Sequence, residues 1–397
     1  MIPVDQARER ILDALKPTTI ISLPYAESLG RVLAKPVVAA RTQPPFDASA
    51  MDGYAVRSRD MTGETNTLTL QGESAAGHSL GRAIAPGTAA RISTGAPVPA
   101  GADQVVIQEK TEREGDQLTL HEAARPHANI RKAGIDFFDG DTLVPAGLKV
   151  NADMIALAVG AGRVSLDVHR QPRIGILSTG DELVEPGETT GPDQIVNSVS
   201  KGLAALVSAS GCEPVYLGIA RDNPQSVHDH FEDAKGLDLL VTIGGASVGD
   251  HDHLRRVFAE EGGALDFEKI ALKPGKPTWF GEIRGLPVLG LPGNPVSALV
   301  VSRLLLQPAL ARLNGEHKSP VFIPARCAVD LPENDHRETY LRGQLNPDGS
   351  VEPLRNQDSS ALSALVRASC LIRRPINGPA VHPGGAVDIL VLEGRQA

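Results

Sequence analysis

Between residues 173 and 313 the chain alternates four times between a short apolar run and a stretch with helical apolar spacing, with glycine in three of the four connecting turns. The runs are RIGILS, PVYLGI, LDLLVTI and LPVLGL, and the helical stretches after them are 201–210, 224–235, 250–260 and 295–313. Strands so poor in polar residues must be buried on both faces. Their alternation with helices predicts a mostly parallel, three-layer α/β domain. The pairs Asn223-Pro224 and Asn294-Pro295 support the parse, since each puts Asn at a helix cap and Pro at the first helical position.

The flanks read differently. Asp5 is placed to cap a first helix with Ala7, Ile11, Leu12 and Leu15 on one face, ended by Pro17; a second short helix is expected from Pro24 to near Gly30. From about residue 41 to 130, stretches such as TLTLQG, QVVIQE and QLTLHE alternate between glycines and prolines and predict a small β domain inserted into a helical unit. Asn151 caps a further apolar helix in NADMIALAVGAG. After Glu316 short β segments return (FIPARCAVDL, ETYLRGQL, AVDILVL), with a helical insert over 360–367.

Composition excludes several classes. A net charge of −9 with 3% aromatic residues is the wrong surface for a nucleic-acid binder. The chain reads as lacking an 18-residue apolar run, so no membrane is implied. Its first residues read as an amphipathic helix rather than an export signal, and three widely spaced cysteines suggest neither disulfides nor zinc; cytoplasm is the expected compartment.

Chemistry is expected beyond the carboxyl ends of the parallel strands. Three glycine-bearing loops fall there: STGDEL (178–183), GGASVGDHD (244–252) and LPGNPVS (291–297). Glycine admits close main-chain approach, and a following helix N-terminus favours anions, so a phosphate-bearing ligand is indicated without a Walker A or G-x-G-x-x-G motif. Glu182, Asp222 and Asp250 are the better candidates for oxygen ligands to Mg²⁺, whereas Asp181 and Asp252 read as caps. Lys273 and Lys276, framed by Pro274 and Pro277, supply cations on a stiff turn. Ser178, Ser247 and Ser297 read as hydrogen-bond donors to an oxyanion. The pairs His228/His230 and His251/His253, spaced i, i+2, point apart on a helix and do not suggest zinc. Asp47, Asp52, Gly53 and Asp136 lie in segments that read as turns or sites.

The segments SAMDGYAV, RISTGAPVPAGAD, AGIDFFDGD, ILSTGDEL, LGIARDNP, GGASVGDHD, LKPGKP and LPGNPVSA together, in this order, resemble the molybdopterin molybdenumtransferases, known as MoeA in bacteria and as the E domain of gephyrin in animals. The resemblance implies a four-part subunit: an elongated helical, dimerising domain (1–40 with 131–168), the inserted β domain (41–130), the molybdopterin-binding α/β domain (169–314) and a C-terminal β-barrel-like domain (315–397). It implies a homodimer whose active site lies between the α/β domain of one subunit and the inserted domain of the other. It also implies transfer of molybdenum from molybdate to adenylylated molybdopterin with Mg²⁺-dependent release of AMP, and dealings with a molybdopterin adenylyltransferase and with molybdoenzyme maturation proteins.

Carried over residue by residue, the resemblance assigns catalysis to Asp52, Thr94, Asp136, Glu182, Asp222, Asp250, Lys273 and Lys276, with Glu182, Asp222 and Asp250 on the metal. Ser178, Thr179, Gly180, Gly244, Gly245, Ser247, Gly249, Pro292, Gly293, Asn294, Pro295, Ser297 and Arg342 would bind substrate. This chain departs from the family at Ala246, where valine is usual, and at Val199, where asparagine is common, so that a pterin or phosphate hydrogen bond is either absent or supplied by Asn197. The stretch NQDSSALSALVRASC is also looser than the family pattern. A gephyrin-like scaffold and an adenylyltransferase are the rival readings.

Overall fold

The computed structural model describes residues 1–245 and 253–392. Ser247, Gly249, Asp250 and Asp252, expected in the second glycine loop, lie outside the described residues.

The α/β domain is a six-stranded sheet of β1 (Arg173–Thr179), β2 (Glu213–Ala220), β3 (Leu239–Ile243), β4 (Ala264–Phe267), β5 (Trp279–Ile283) and β6 (Leu286–Leu291), in the order β2-β1-β3-β6-β5-β4. The first four in that order are parallel; β5 and β4 add antiparallel at one side. One face carries Ile174, Ile176, Val241 and Leu289 against α1 (Val4–Ala14), α2 (Val199–Ala209), α5 (Pro295–Val301) and α6 (Gln307–Leu313). The other carries Leu177, Leu240, Trp279 and Val288 against α3 (Pro224–Asp233) and α4 (His253–Glu260).

The helix expected over 295–313 is interrupted by a π turn, Ser302–Leu306, just before Pro308. Proline lacks an N–H and its ring crowds the carbonyl four residues back; the wider turn accommodates both. Although the sequence reads as having no bilayer-length run, Pro295–Leu313 is long and apolar enough to cross one; 78% of it is buried inside the chain, as suits a core helix.

Asn223 caps α3 as expected, accepting from the Ser226 N–H at 2.9 Å, and Asn151 caps Ala152–Gly160 likewise. Asp5 does not cap: α1 starts at Val4 behind Pro3, and Asp5 pairs with Arg8 in the first turn. Nor does α1 join the elongated unit. Its stripe Val4, Ala7, Ile11 and Leu15 is part of the α/β core, and Ile2 bridges Ile270. An amphipathic stripe specifies burial, not the surface that buries it. The rest of that unit is chiefly strand: Ile20–Pro24 with Ser165–His169, and Val37–Val38 with Thr142–Val144, around the helix Ala152–Gly160. The helix expected from Pro24 is one 3₁₀ turn, Tyr25–Glu27.

The inserted domain is a six-stranded sheet built on Tyr54, Val56, Leu68, Val106, Leu118 and Leu120. In the C-terminal domain, Glu338–Leu345 pairs with both Ser350–Pro353 and Cys370–Arg374, which closes a five-stranded barrel. The short strand Leu272–Lys273 docks beside Glu338–Thr339 and ties the barrel to the α/β domain.

Candidate functional site

Adjacent strands lie about 4.8 Å apart. The ends of β2, β1, β3 and β6, at Ala220, Thr179, Ile243 and Leu291, and the start of β5 at Trp279 therefore form one rim, with about 14 Å between the β1 and β5 positions. The loops at 180–183, 221–223, 244–245, 292–294 and 273–278 all leave from it.

Glycine is required at its centre. Gly244 has φ +88° and donates to the Leu291 carbonyl at 3.1 Å; a Cβ there would lie 2.9 Å from the Thr179 carbonyl oxygen and Oγ1. Gly245, at φ +59°, would drive a Cβ to 2.9 Å from Leu254. The neighbouring loop is close enough that a Cβ on Gly293 would touch the Gly244 Cα at 3.6 Å. Thr179 is buried beneath, its hydroxyl 3.4 Å from the Ile243 carbonyl.

The carboxylates stand on the β1 and β2 side. Gly180, at φ +140°, lies under Glu182, whose Oε2 is only 2.2 Å from where a Cβ would sit. Glu182 is exposed and, among the described residues, its carboxylate has no hydrogen bond or ion pair. Asp181 and Asp222 join their loops reciprocally: the Asp181 N–H donates to Asp222 Oδ2 at 3.4 Å and the Asp222 N–H to Asp181 Oδ1 at 3.2 Å. Asp181, expected to be a plain cap, thus shares the position of Asp222. No group of three or more His, Cys, Asp or Glu side chains close enough to hold a metal occurs among the described residues. Mg²⁺ needs only one or two carboxylates beside substrate phosphates, so the unpaired Glu182 with Asp222 on the adjoining loop fits its donor chemistry.

Lys273 and Lys276 are exposed at the β5 side, without an ion pair among the described residues. Their turn is seated on the domain: a Cβ on Gly275 would meet Val301 Cγ2 at 2.6 Å, and the Thr278 hydroxyl donates to the Gly275 carbonyl at 2.7 Å.

Several expected ligands are placed elsewhere. Ser178 is fully buried and donates its hydroxyl to Asn197 Oδ1 at 3.1 Å; Asn197 in turn donates to the Tyr216 hydroxyl at 2.9 Å. Both are committed inside the fold, so neither faces a ligand, and Val199 packs in the core. Ser297 is buried in the first turn of α5. Asn294 does not cap that helix: its Nδ2 donates to Ser359 Oγ at 3.0 Å, and the Val296 N–H is taken by the Ser359 carbonyl at 3.0 Å.

Arg342 explains that contact. It is 1% exposed, and its Nη2 donates to the carbonyls of Asn356 at 3.4 Å and Asp358 at 3.1 Å, bracing the segment that carries Ser359. The expected anion ligand is instead an internal brace; burial lowers its pKa, and among the described residues its Nε has no partner. Ser359 and Arg221 are the rim residues that sequence reasoning passes over. Arg221 stood beside Asp222 in ARDNP, whereas nothing in the sequence singles out Ser359.

Asp52 and Thr94 meet in the inserted domain: Asp52 Oδ1 accepts from the Thr94 N–H at 2.7 Å and from its hydroxyl at 3.1 Å, which holds the carboxyl below its usual range. Asp136 is exposed on a ribbon where residues 43–51 run against 129–138. Among the described residues the inserted domain's hydrogen bonds to the rest of the chain reach 131–139 and, from Arg41, 159–160; none reaches the rim. A cavity of about 700 Å³, walled by Leu206, Pro308, Val321 and Leu390, contains no expected site residue.

Family models match nearly the whole chain: MoeA N-terminal region (domain I and II) over residues 2–162, probable molybdopterin binding domain over 175–312, and MoeA C-terminal region (domain IV) over 324–392. The chain is 37% identical to a molybdopterin molybdenumtransferase of Haemophilus influenzae, with 94% of each chain covered. It is 36% identical to one of a Nostoc species, over 96% of this chain and 90% of that one. The crystal structure of a MoeA protein from Pyrococcus horikoshii superposes with a TM-score of 0.89 at 31% identity, covering 100% of both chains. In sequence and in architecture the chain belongs to the MoeA family, an enzyme family of molybdenum-cofactor biosynthesis.

Proposed function

We propose that this protein transfers molybdenum from molybdate to adenylylated molybdopterin with release of AMP. The observation that carries the reading is the division of one rim: Glu182 with Asp222 on the β1 and β2 side, glycine main chain in the middle, and Lys273 and Lys276 on the β5 side, with Glu182 and both lysines unpaired among the described residues. A ligand with a pyrophosphate, a pterin and an approaching oxyanion spans such a distance.

In this reading Gly180, Gly244, Gly245 and the loop at 292–294 hold the substrate's phosphate end by close main-chain approach. Glu182 and Asp222 would hold Mg²⁺, which when bound neutralises charge developing on the pyrophosphate. Lys273 and Lys276 bind molybdate as a dianion, and Arg342 contributes by bracing the segment that carries Ser359 rather than by touching the anion. Water bonds to a phosphorus of the pyrophosphate as its phosphorus–oxygen bond breaks and AMP leaves; the two dithiolene sulfurs then bond to molybdenum as one molybdate oxygen takes up two protons and departs as water, with no change of oxidation state.

Asp52, Thr94 and Asp136 enter from the other subunit of a homodimer. Support comes from exposed Phe46, Met51, Ile135 and Phe138 on and beside the same ribbon, an apolar group suited to burial against a second copy. Substrate would arrive from a molybdopterin adenylyltransferase and product pass to molybdoenzyme maturation proteins, in the cytoplasm.

The test is AMP release on adding molybdate to substrate-loaded protein. Glu182→Gln and Lys276→Ala are expected to abolish it while light scattering reports an unchanged dimer. Wild-type rates in either variant refute the assignment; tight binding without release by the unaltered protein marks a scaffold.

A further inference from the structure

Arg221 stands among three carboxylates, Asp181, Glu182 and Asp222, yet it forms no ion pair with any of them among the described residues. Its Nη1 donates instead to two main-chain carbonyls, Asp181 at 3.3 Å and Leu183 at 3.1 Å, on either side of Glu182. Its own backbone is fixed at the other end, where the Arg221 N–H donates to Ser226 Oγ at 3.0 Å in the first turn of α3. One guanidinium therefore ties the Glu182 loop to the end of β2 and the start of α3, while among the described residues Glu182 keeps both oxygens unpaired.

We propose that Arg221 is a positioning residue for Glu182: it fixes the carboxylate over Gly180 and, by bonding to carbonyls, leaves the acidic oxygens available to a divalent cation. The inference rests on the reading of Glu182 as a metal ligand. The chemistry favours this choice of partners. A guanidinium in a fork to a carboxylate would neutralise the group that must bind the cation, whereas the same guanidinium on peptide oxygens orders three residues without consuming a ligand.

Two effects of removing Arg221 have opposite signs, which makes the proposal testable. Loss of a nearby positive charge favours cation binding; loss of the tether loosens the ligand and opposes it. The tether is expected to prevail because groups that orient a ligand typically alter metal affinity by about tenfold or more. In Arg221→Ala, Mn²⁺ affinity measured by electron paramagnetic resonance should fall about tenfold, and the KM for Mg²⁺ in AMP release should rise by a similar factor with kcat at saturating Mg²⁺ retained. Arg221→Lys, whose ammonium has donors for both carbonyls, should recover most of the loss. Mn²⁺ binding by Arg221→Ala as tight as the unaltered protein's, or tighter, overturns the proposal. Glu182→Gln separates the two levels: if it binds Mn²⁺ normally, the metal reading itself fails, and if it alone loses Mn²⁺, only the role of Arg221 does.

Discussion

Gly290 lies on β6 two residues before Pro292, opposite Trp279, which begins β5 directly after the lysine turn. A methyl group on Gly290 would sit 1.8, 2.1 and 2.4 Å from Nε1, Cε2 and Cδ1 of that indole. Ordinary carbon contacts are about 3.5–4.0 Å, so the ring would have to move by about 1.5 Å. It has nowhere to go. Trp279 is 0% exposed, stands edge-on to Phe258 with centroids 5.2 Å apart, and shares its cluster with Leu177, Leu240 and Val288.

Overpacking of this kind costs about 1–3 kcal/mol, and Gly290→Ala belongs at the upper end because β6 is an interior strand hydrogen-bonded on both sides. For a domain of this size about 3 kcal/mol corresponds to about 6–12 °C in Tm. Trp279 is the sole tryptophan, so its fluorescence follows the α/β domain through urea unfolding, and circular dichroism serves variants that lack it. Trp279→Leu removes the overlapping ring together with a buried indole N–H that has no acceptor among the described residues. Combined with Gly290→Ala it should be more stable than the sum of the single effects by about 1–2 kcal/mol. Strict additivity, or wild-type stability of Gly290→Ala, would show that the two groups do not compete for one volume.

Three further outcomes follow from the same geometry. The Lys132 ammonium and then the Ala133 N–H hold the Asp47 carboxyl below its ordinary value of 3.8; the folded pKa is the lower one, so the pair's contribution is full above that value and lost as pH falls through the depressed one. The stability gap between the unaltered chain and Asp47→Asn, read by urea unfolding, should be constant near neutrality and shrink under acid. Burial pushes the thiols of Cys212 up to about 12 and Cys370 up to about 11, and Cys327 is buried too; a thiol reagent at neutral pH should label none of the three in the native chain and all three in denaturant. Val199→Asn, which restores the residue common in the family, should cost about 1–3 kcal/mol without raising AMP release, because the site is 7% exposed and apolar.

What was legible in the sequence is what local pattern determines. Apolar runs marked β1, β2, β3 and β6, although β2, at the edge of the sheet, is only partly buried, and the Asn–Pro pair at Asn223 marked the start of α3. Strands β4 and β5 were not read, since ALDF and WFGEI flank turns and lack the helix-to-strand rhythm of the parallel core. The destination of α1 was not legible either, because the surface that accepts its stripe comes from residues more than about 150 positions away. The site divides in the same way. Loops at strand ends announced Glu182, Asp222, Gly244 and the two lysines through glycine, charge and proline. Ser178, Asn197 and Arg342 share those residue types, and only the packed structure reveals that their polar groups are already used.

The order of the strands also resolves how an acidic chain keeps cations for an anionic substrate. With a net charge of −9, a lysine beside Glu182 or Asp222 would be neutralised. The sheet instead places β3 and β6 between the acids and the lysine turn, about 14 Å apart along the rim. That exceeds the Debye length of about 8 Å at physiological ionic strength, so exposed groups at the two sides are largely screened from each other. The intervening loops contribute Gly244, Gly245 and Gly293, which carry no charge and let main chain approach a ligand. In the proposed reading such a rim would take a divalent cation on one side and a divalent oxyanion on the other, with Glu182 and Asp222 kept away from the two lysines. Sequence position has little to do with it: Asp222 precedes Lys276 by 54 residues and Glu182 precedes it by 94, and strand order alone decides who are neighbours.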